Sequence, residues 1–331
     1  MSKALVTGGA GFIGSHVTAE LVGMGHQVVV LDDLSGGFRE NVDKRADLVV
    51  GSITDNSLVD SLFAHHRFEY VYHLAAYAAE GLSHFIKRFN YQSNLLGSVN
   101  LINSSVNYGA RCFVYTSSIA VYGTNQVPMH EDLTPMPEDS YGIAKLAVER
   151  ELHVTHDMFG LNYVIFRPHN VYGEHQNIGD RYRNVIGIFM NQLMQGRPLT
   201  IFGDGTQTRA FSYIADVAPI IAQGAFLPQA YGETFNVGAD KPYSVNELAA
   251  AVGRAMGVEP KVTYLPPRNE VLHAFSDHTK AEKLFSRRAQ VPLQEGIEQM
   301  AKWAMRVGAR KSKEFAHIEI EKNLPAIWKD Q

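Results

Sequence analysis

The chain has 331 residues and a single cysteine, Cys112, so no internal disulfide can form and no cysteine cluster can bind a metal. Its fourteen histidines do not fall at metal-ligand spacings, and no metal is expected. No apolar run approaches the ~20 residues that a bilayer-spanning helix needs. The opening Met-Ser-Lys runs straight into an apolar strand and a glycine turn, which is not a secretory leader. An excess of either charge is missing too: 30 Lys and Arg against 34 Asp and Glu leave −4, with a pI near 6.4. Such a balance offers no basic field for a phosphate backbone, so nucleic acid is not an expected partner. There is no internal repeat and no low-complexity tract. The expectation is a cytoplasmic protein without membrane or nucleic-acid partners. Apolar residues make up 45% and charged residues 19%, which suits a buried core. The length is about twice that of a typical domain, pointing to two lobes or one large α/β unit.

Residues 3–7 read as a buried strand, followed by Gly8, Gly9, Gly11 and Gly14. Ile13, Val17, Leu21 and Met24 then recur at helical spacing, Gly25 stops that helix, and Val28–Leu31 is a second apolar strand ending at Asp32-Asp33. Strands are expected at 47–50, 70–75, 111–117 and 162–167, with helices near 57–65, 85–108 and 140–159. Strand alternating with helix predicts an α/β fold, a Rossmann-type doubly wound parallel sheet with helices on both faces. Beyond residue 170 the rhythm is irregular, with a helix expected at about 244–256. The division expected is a cofactor domain over 1–170, aided by parts of 205–240, then a smaller C-terminal α/β substrate lobe over 171–310. A charged, solvated tail over 311–331 completes it.

Segment 7–14, Thr-Gly-Gly-Ala-Gly-Phe-Ile-Gly, lies between strand and helix. It fits G-x-G-x-x-G from Gly9 and also Gly8-x-x-Gly11-x-x-Gly14. Glycine allows backbone to approach a pyrophosphate, and the helix N-terminus presents N–H groups to it. Asp32 closes the second strand, where a carboxylate accepts both ribose hydroxyls; Asp33 beside it would repel a 2′-phosphate, so NAD is favoured over NADP. Tyr141 and Lys145, at i and i+4, share a helix face, and Thr116-Ser117-Ser118 ends a sheet strand. An ammonium beside a phenol favours phenolate, which would make Tyr141 a base near neutral pH.

These motifs resemble the extended short-chain dehydrogenase/reductase superfamily, in its nucleotide-sugar epimerase/dehydratase branch. The resemblance runs over roughly residues 3–285. His73-Leu-Ala-Ala76 is similar to the family's fourth-strand motif beside the cofactor, and Asn94 to its supporting helix asparagine. Arg167-Pro-His-Asn-Val-Tyr-Gly173 resembles the segment whose asparagine, here Asn170, contacts the nucleotide diphosphate. The resemblance implies Ser118, Tyr141 and Lys145 as the catalytic trio. It implies a cofactor set of Gly8, Gly11, Phe12, Ile13, Gly14, Asp32, Asp33, Ser52, Ile53, Leu74, Ala75, Ala76, Asn94, Tyr141, Lys145 and Pro168. The implied substrate set is Ser83, Ser118, Ile119, Ala120, His169, Asn170, Asn184, Val185, Thr200, Phe202, Arg209, Arg268, Glu270 and Ala274. A homodimer through paired helices at 85–108 and 140–159 is implied as well, although these apolar faces also suit packing within one chain.

Members of this branch open by oxidising a sugar hydroxyl to a 4-keto sugar. Its dehydratases carry a carboxylate just after the catalytic Ser or Thr, and this chain has Ile119 and Ala120 there. The implied reaction is therefore NAD-dependent C4 epimerisation of a UDP-hexose, an isomerase activity. Asn170 and Asn177 favour a neutral hexose over a uronate, and the small Ala274 should admit an N-acetyl group, so both UDP-glucose/galactose and UDP-N-acetylhexosamines are expected substrates. Glu80, His84 or His169 could instead supply acid/base chemistry for a dehydratase or C5 epimerase. A non-catalytic dinucleotide sensor is a third alternative, disfavoured by the intact Ser118, Tyr141 and Lys145.

Overall fold

A computed structural model describes residues 2–124, 126–267, 271–285, 290–311, 315, 318–325 and 328. The first half alternates as expected: β1 (Lys3–Thr7), α1 (Phe12–Gly23), β2 (Gln27–Asp32), β3 (Asp47–Val50), α2 (Asn56–His66) and β4 (Tyr70–His73). There follow α3 (Glu80–Ser83), α4 (Lys87–Tyr91), α5 (Gly97–Asn107), β5 (Cys112–Thr116), α6 (Ser140–Phe159) and β6 (Asn162–Pro168). The second half holds β7 (Val171–Tyr172), α7 (Val185–Met194), β8 (Leu199–Phe202), β9 (Thr208–Ala210), β10 (Ser212–Tyr213), α8 (Ile214–Gln223) and β11 (Glu233–Val237). It closes with β12 (Pro242–Ser244), α9 (Val245–Met256), β13 (Val262–Leu265), β14 (His273–Ala274), α10 (Thr279–Leu284) and α11 (Leu293–Val307).

Seven parallel strands form the main sheet in the order β11-β6-β5-β4-β1-β2-β3. Its strands are apolar throughout because both faces are covered, as parallel sheets require. Alternate residues divide between two cores: Ala4, Val6, Val28 and Val30 pack with Val17 and Leu21 of α1 and with α8, whereas Leu5, Val29 and Leu31 pack with Val59, Phe63, Leu101 and Val148 of α2, α5 and α6. The chain leaves β1 toward β2 and β3, then returns to β4 and builds outward the other way. The reversal opens a crevice at the carboxyl ends of β1 and β4, where doubly wound sheets bind ligands. Cys112 is buried on β5, and burial pushes its thiol well up.

The later residues add three small sheets among the described residues, β10-β7, β12-β9-β14 and β13-β8. Helix α9 begins where expected because Ser244 and Glu247 form a reciprocal capping box, and Leu248 and Val252 are buried. Four expectations are corrected. Met24 falls past the end of α1 and is exposed, so the buried stripe stops at Leu21 and Val22. The single helix expected over 85–108 is α4, a π-turn over Gln92–Leu96, and α5. The extra residue of the π-turn changes which side chains face inward, and Asn94 becomes fully buried. The strand expected over 70–75 ends at His73. The tail is not merely solvated: Arg310 stacks 3.7 Å above the Phe38 ring, Glu319 accepts the Arg88 and Phe89 N–H groups, and Leu324 and Trp328 pack on Leu82 and Ile86.

Candidate active site

Glycine turn, β4 loop, β5 end and α6 converge on one cavity of about 680 Å³. Its cofactor-side wall contains Gly8, Gly11, Phe12, Ile13, Gly14, Asp32, Asp33, Ser52, Ile53, Leu74, Ala75, Ala76 and Pro168. Gly8 has φ +73°, and a Cβ there would lie 2.7 Å from the Ala75 nitrogen; one at Gly14 would collide with the Gly8 carbonyl. Gly9 does not line the cavity but packs against Val30, so Gly8, Gly11 and Gly14 are the glycines of the cradle. Helix α1 starts at Gly11 with no side-chain cap, leaving its first N–H groups facing the cavity. Asp32 accepts the Ala10 and Leu34 N–H groups at 2.9 and 2.8 Å, yet burial still raises its carboxyl pKa. The Thr116 hydroxyl is buried on the cavity wall without a partner among the described residues.

Ser118, Tyr141 and Lys145 meet in the middle of the same cavity. Ser118 caps the short turn Ile119–Tyr122, accepting the Ala120 N–H at 3.1 Å, and its hydroxyl acts on the Tyr141 phenol in the direction that favours phenolate. Gly142 lets α6 approach this turn, since a Cβ would stand 2.6 Å from the Ala120 carbonyl oxygen. The first turn of α6 is fixed three ways: Asp139 caps Gly142, Ser83 Oγ accepts the Tyr141 N–H at 3.2 Å, and Asn90 donates to the Ser140 carbonyl. Lys145 Nζ donates to the Thr116 carbonyl at 2.8 Å, 5.6 Å from the Tyr141 ring centre.

Electrostatics correct one expectation. In the chain alone the Tyr141 phenol is raised rather than lowered: burial dominates, Glu80 and Asp139 add repulsion, and the Ser118 hydroxyl offsets only part. Burial also pushes Lys145 down to about 7, which weakens it as a source of positive charge.

The same cavity is also lined by Ile119, Ala120, Asn170, Asn184, Val185, Thr200, Phe202, Arg209 and Ala274, the residues expected at a substrate, with Asn177 and Glu80. Asn184 (φ +63°) precedes α7, a second helix whose start has no side-chain cap and faces the cavity. Arg209 lines the wall while its guanidinium holds the Val271 and Leu272 carbonyls. Three residues of the expected sets are placed differently. Ser83 lies behind Tyr141 as described. Asn94 clamps both the N–H and the carbonyl of Tyr77 and so supports the wall from outside. His169 reaches the wall, but both ring nitrogens are engaged away from it, with the Ala210 carbonyl and His278. Arg268 and Glu270 lie outside the described residues.

Sequence reasoning missed the buried ion pair behind the site. Arg167 meets Glu149 at 2.9 and 2.5 Å, and Ser117 donates to the same carboxylate at 2.5 Å. It also missed Tyr182 and Arg183, which line the cavity; Arg183 pairs with Asp180 at 2.5 Å and covers the Tyr77 ring. Glu149 could have been found, being i+4 from Lys145 on the predicted helix. Nothing in the polar stretch 174–184 marked Tyr182 or Arg183.

Residues 4–238 match the NAD dependent epimerase/dehydratase family. The chain belongs to this family. It is 34% identical to a putative UDP-glucose 4-epimerase of Methanocaldococcus jannaschii, over 90% of this chain and 97% of that one. It is 29% identical to a UDP-N-acetyl-α-D-glucosaminuronate decarboxylase of Bacillus cytotoxicus, over 91% and 97%. The crystal structure of Thermus thermophilus UDP-glucose 4-epimerase in complex with NAD superposes with a TM-score of 0.86 at 32% identity, over 91% and 98%. The family member described here is an NAD-dependent enzyme of nucleotide-sugar chemistry, and the Gly8–Gly14 cradle, open helix start and Asp32 fit that cofactor. No described helix is long and apolar enough to cross a membrane.

Proposed function

We propose that this family member interconverts a UDP-hexose and its C4 epimer. The reading is carried by one juxtaposition: Ser118, Tyr141 and Lys145 converge where the flanking Ile119 and Ala120 supply no carboxylate. NAD, when bound, supplies a hydride acceptor and, in its oxidised form, a cationic ring that favours the phenolate. The α1 start, Asp32 and Asp33 would hold its pyrophosphate and ribose, and Lys145, whose Nζ donates to the Thr116 carbonyl, would hold its other ribose. Tyr141 takes the proton of the sugar C4 hydroxyl, and Ser118 holds that oxygen through its own hydroxyl. The resulting 4-keto sugar turns over, and Tyr141 returns the proton to the inverted alcohol. Arg209 and the open start of α7 at Asn184 hold the nucleotide diphosphate. Asn170, Asn177 and Ala274 all line the cavity, which suits a neutral hexose with or without an N-acetyl group.

Glu80 supports a second reading. It lines the same cavity and its charge acts on Tyr141, so a carboxylate is available for dehydration or C5 inversion. Incubating the NAD-loaded protein with UDP-glucose and with UDP-N-acetylglucosamine tests the choice. The proposal expects the matching galacto sugar at equilibrium; a 6-deoxy-4-keto product or a C5 epimer would replace it with the second reading. A second copy of the chain is the proposed partner. Ile143, Val154 and Met158 form an exposed apolar stripe on α6, and Leu96 is exposed on the π-turn packed beside it.

A further inference from the structure

The part of the cavity lined by Glu80, Gly81, His84 and Phe89 is built from helices too short to stand alone, α3 with four residues and α4 with five. Neither is capped by a side chain at its N-cap residue, Ala79 or Ile86. At the break between them, backbone groups are left without helical partners. The C-terminal tail, 231 residues further along the chain, takes them. The Glu319 carboxylate accepts the Arg88 and Phe89 N–H groups at 2.9 and 3.0 Å. The Glu319 and Ile320 N–H groups donate to the Phe85 carbonyl at 2.8 and 3.2 Å. Glu319 is 15% exposed; the Arg88 guanidinium also approaches it at 3.6 Å but, at 88% exposure, adds little. Around these bonds Leu324 and Trp328 pack on Leu82 and Ile86, and Phe315 meets Phe89 edge-on at 4.8 Å.

The gripped residues lie between the two side chains that hold the start of α6. Ser83, just before them, donates to the Glu80 carbonyl at 2.6 Å, lies 3.5 Å from Asp139 Oδ1 and accepts the Tyr141 N–H at 3.2 Å. Asn90, just after them, donates to the Ser140 carbonyl at 2.7 Å, while its oxygen takes the Asn94 amide at 2.8 Å. We propose that Glu319 is a positioning residue for Tyr141: by capping α4 it fixes the placement of Ser83 and Asn90, and through them the first turn of α6.

Apolar burial alone would seat the tail, but apolar contacts carry no direction. Two bonds from one carboxylate to consecutive N–H groups fix both distance and angle, and the paired bonds to Phe85 fix the register. A shift of the α4 start draws Asn90 off the Ser140 carbonyl and moves Tyr141 relative to Ser118 and Lys145. Rates that depend on a held geometry fall steeply with such shifts. The tail lies beyond residues 4–238, the part matched to the family. That Tyr141 acts as the base rests on the function proposed above; that Glu319 holds the first turn of α6 does not.

The test uses the full-length, NAD-loaded protein. Amide exchange over 80–91 and over 139–143 should quicken about tenfold in Glu319→Ala, and less in Glu319→Gln, which keeps one acceptor oxygen. Lys322→Ala, at an exposed position of the same tail, should match wild type. Turnover of UDP-glucose, counted per NAD-loaded site so that loss of folded protein does not enter, should fall about 10–100-fold in Glu319→Ala and less in Glu319→Gln. KM for the sugar and affinity for NAD should stay within about threefold of wild type, because Arg209, α7 and the glycine turn lie outside the gripped segment. Exchange over 139–143 as slow in Glu319→Ala as in wild type would overturn the proposal, whether or not 80–91 quickens. Quickened exchange there with unchanged turnover per site would overturn it equally. Where Glu319→Ala does not fold, Glu319→Gln carries the same comparison. If wild type turns over no UDP-sugar, the epimerase reading fails, while exchange over 139–143 still decides the role of Glu319.

Discussion

Tyr141→Phe removes one oxygen from the centre of the cavity and leaves the ring packed. Turnover should fall about 10²–10⁴-fold, the usual worth of a positioned base, while NAD affinity changes little. Activity retained in the variant would remove Tyr141 from the mechanism. Lys145 has a signature in stability as well. Its ordinary pKa of 10.5 is pushed to about 7, so between those values the unfolded chain holds a proton that the folded chain does not. Stability of the cofactor-free protein should therefore rise with pH across that window, on the order of 1 kcal/mol per pH unit from this group, and stay flat in it below about 7. Comparing urea unfolding of wild type and Lys145→Met from pH 6 to 10 checks this; the difference in favour of wild type should grow with pH. At this scale the sequence showed which side chains meet but not their charge balance. Desolvation depends on what surrounds Tyr141 and Lys145, and Glu80 comes from a part of the chain far from α6.

Among elements, α6 carries Tyr141 and Lys145 and is anchored at depth. Glu149 sits one turn beyond Lys145 and meets Arg167 of β6, with both side chains at most 6% exposed. Glu149→Gln should cost about 3 kcal/mol by leaving a buried cation uncompensated, whereas replacing both residues by Met should cost less. Thermal or urea unfolding of the two variants measures this, and equal losses for the single and the double variant would contradict it. The helix 140–159 and the glycine turn were legible because their signals are local: apolar spacing, capping residues and turn glycines. The π-turn at Gln92–Leu96 was not, because the added residue is set by the fit of Asn94 against Tyr77 and of Gly97 against Ile53. Likewise Ser83 was expected at the substrate, and only its place behind Tyr141 shows that it positions α6.

For the whole molecule, a net charge of −4 supplies no general attraction for phosphate, so the binding proposed above rests on local devices, the open starts of α1 and α7 and the guanidinium of Arg209. The parallel, doubly wound character of the sheet was readable from the alternation of strands and helices, but the tail was not. Its contacts with Phe38, Leu82 and Ile86 join residues more than two hundred positions apart, and an amphipathic pattern names no partner. The proposed dimer rests on the stripe on α6: Val154→Glu with Met158→Glu should convert it to a monomer in sedimentation velocity while NAD still binds, and an unchanged sedimentation coefficient would contradict that interface. The central claim is that hydride leaves and returns at C4 with no other carbon–hydrogen bond broken. Turnover of UDP-glucose by the NAD-loaded protein in deuterium oxide tests it most directly. Equilibrated UDP-galactose free of carbon-bound deuterium is the predicted result, and product labelled at C5 would contradict it.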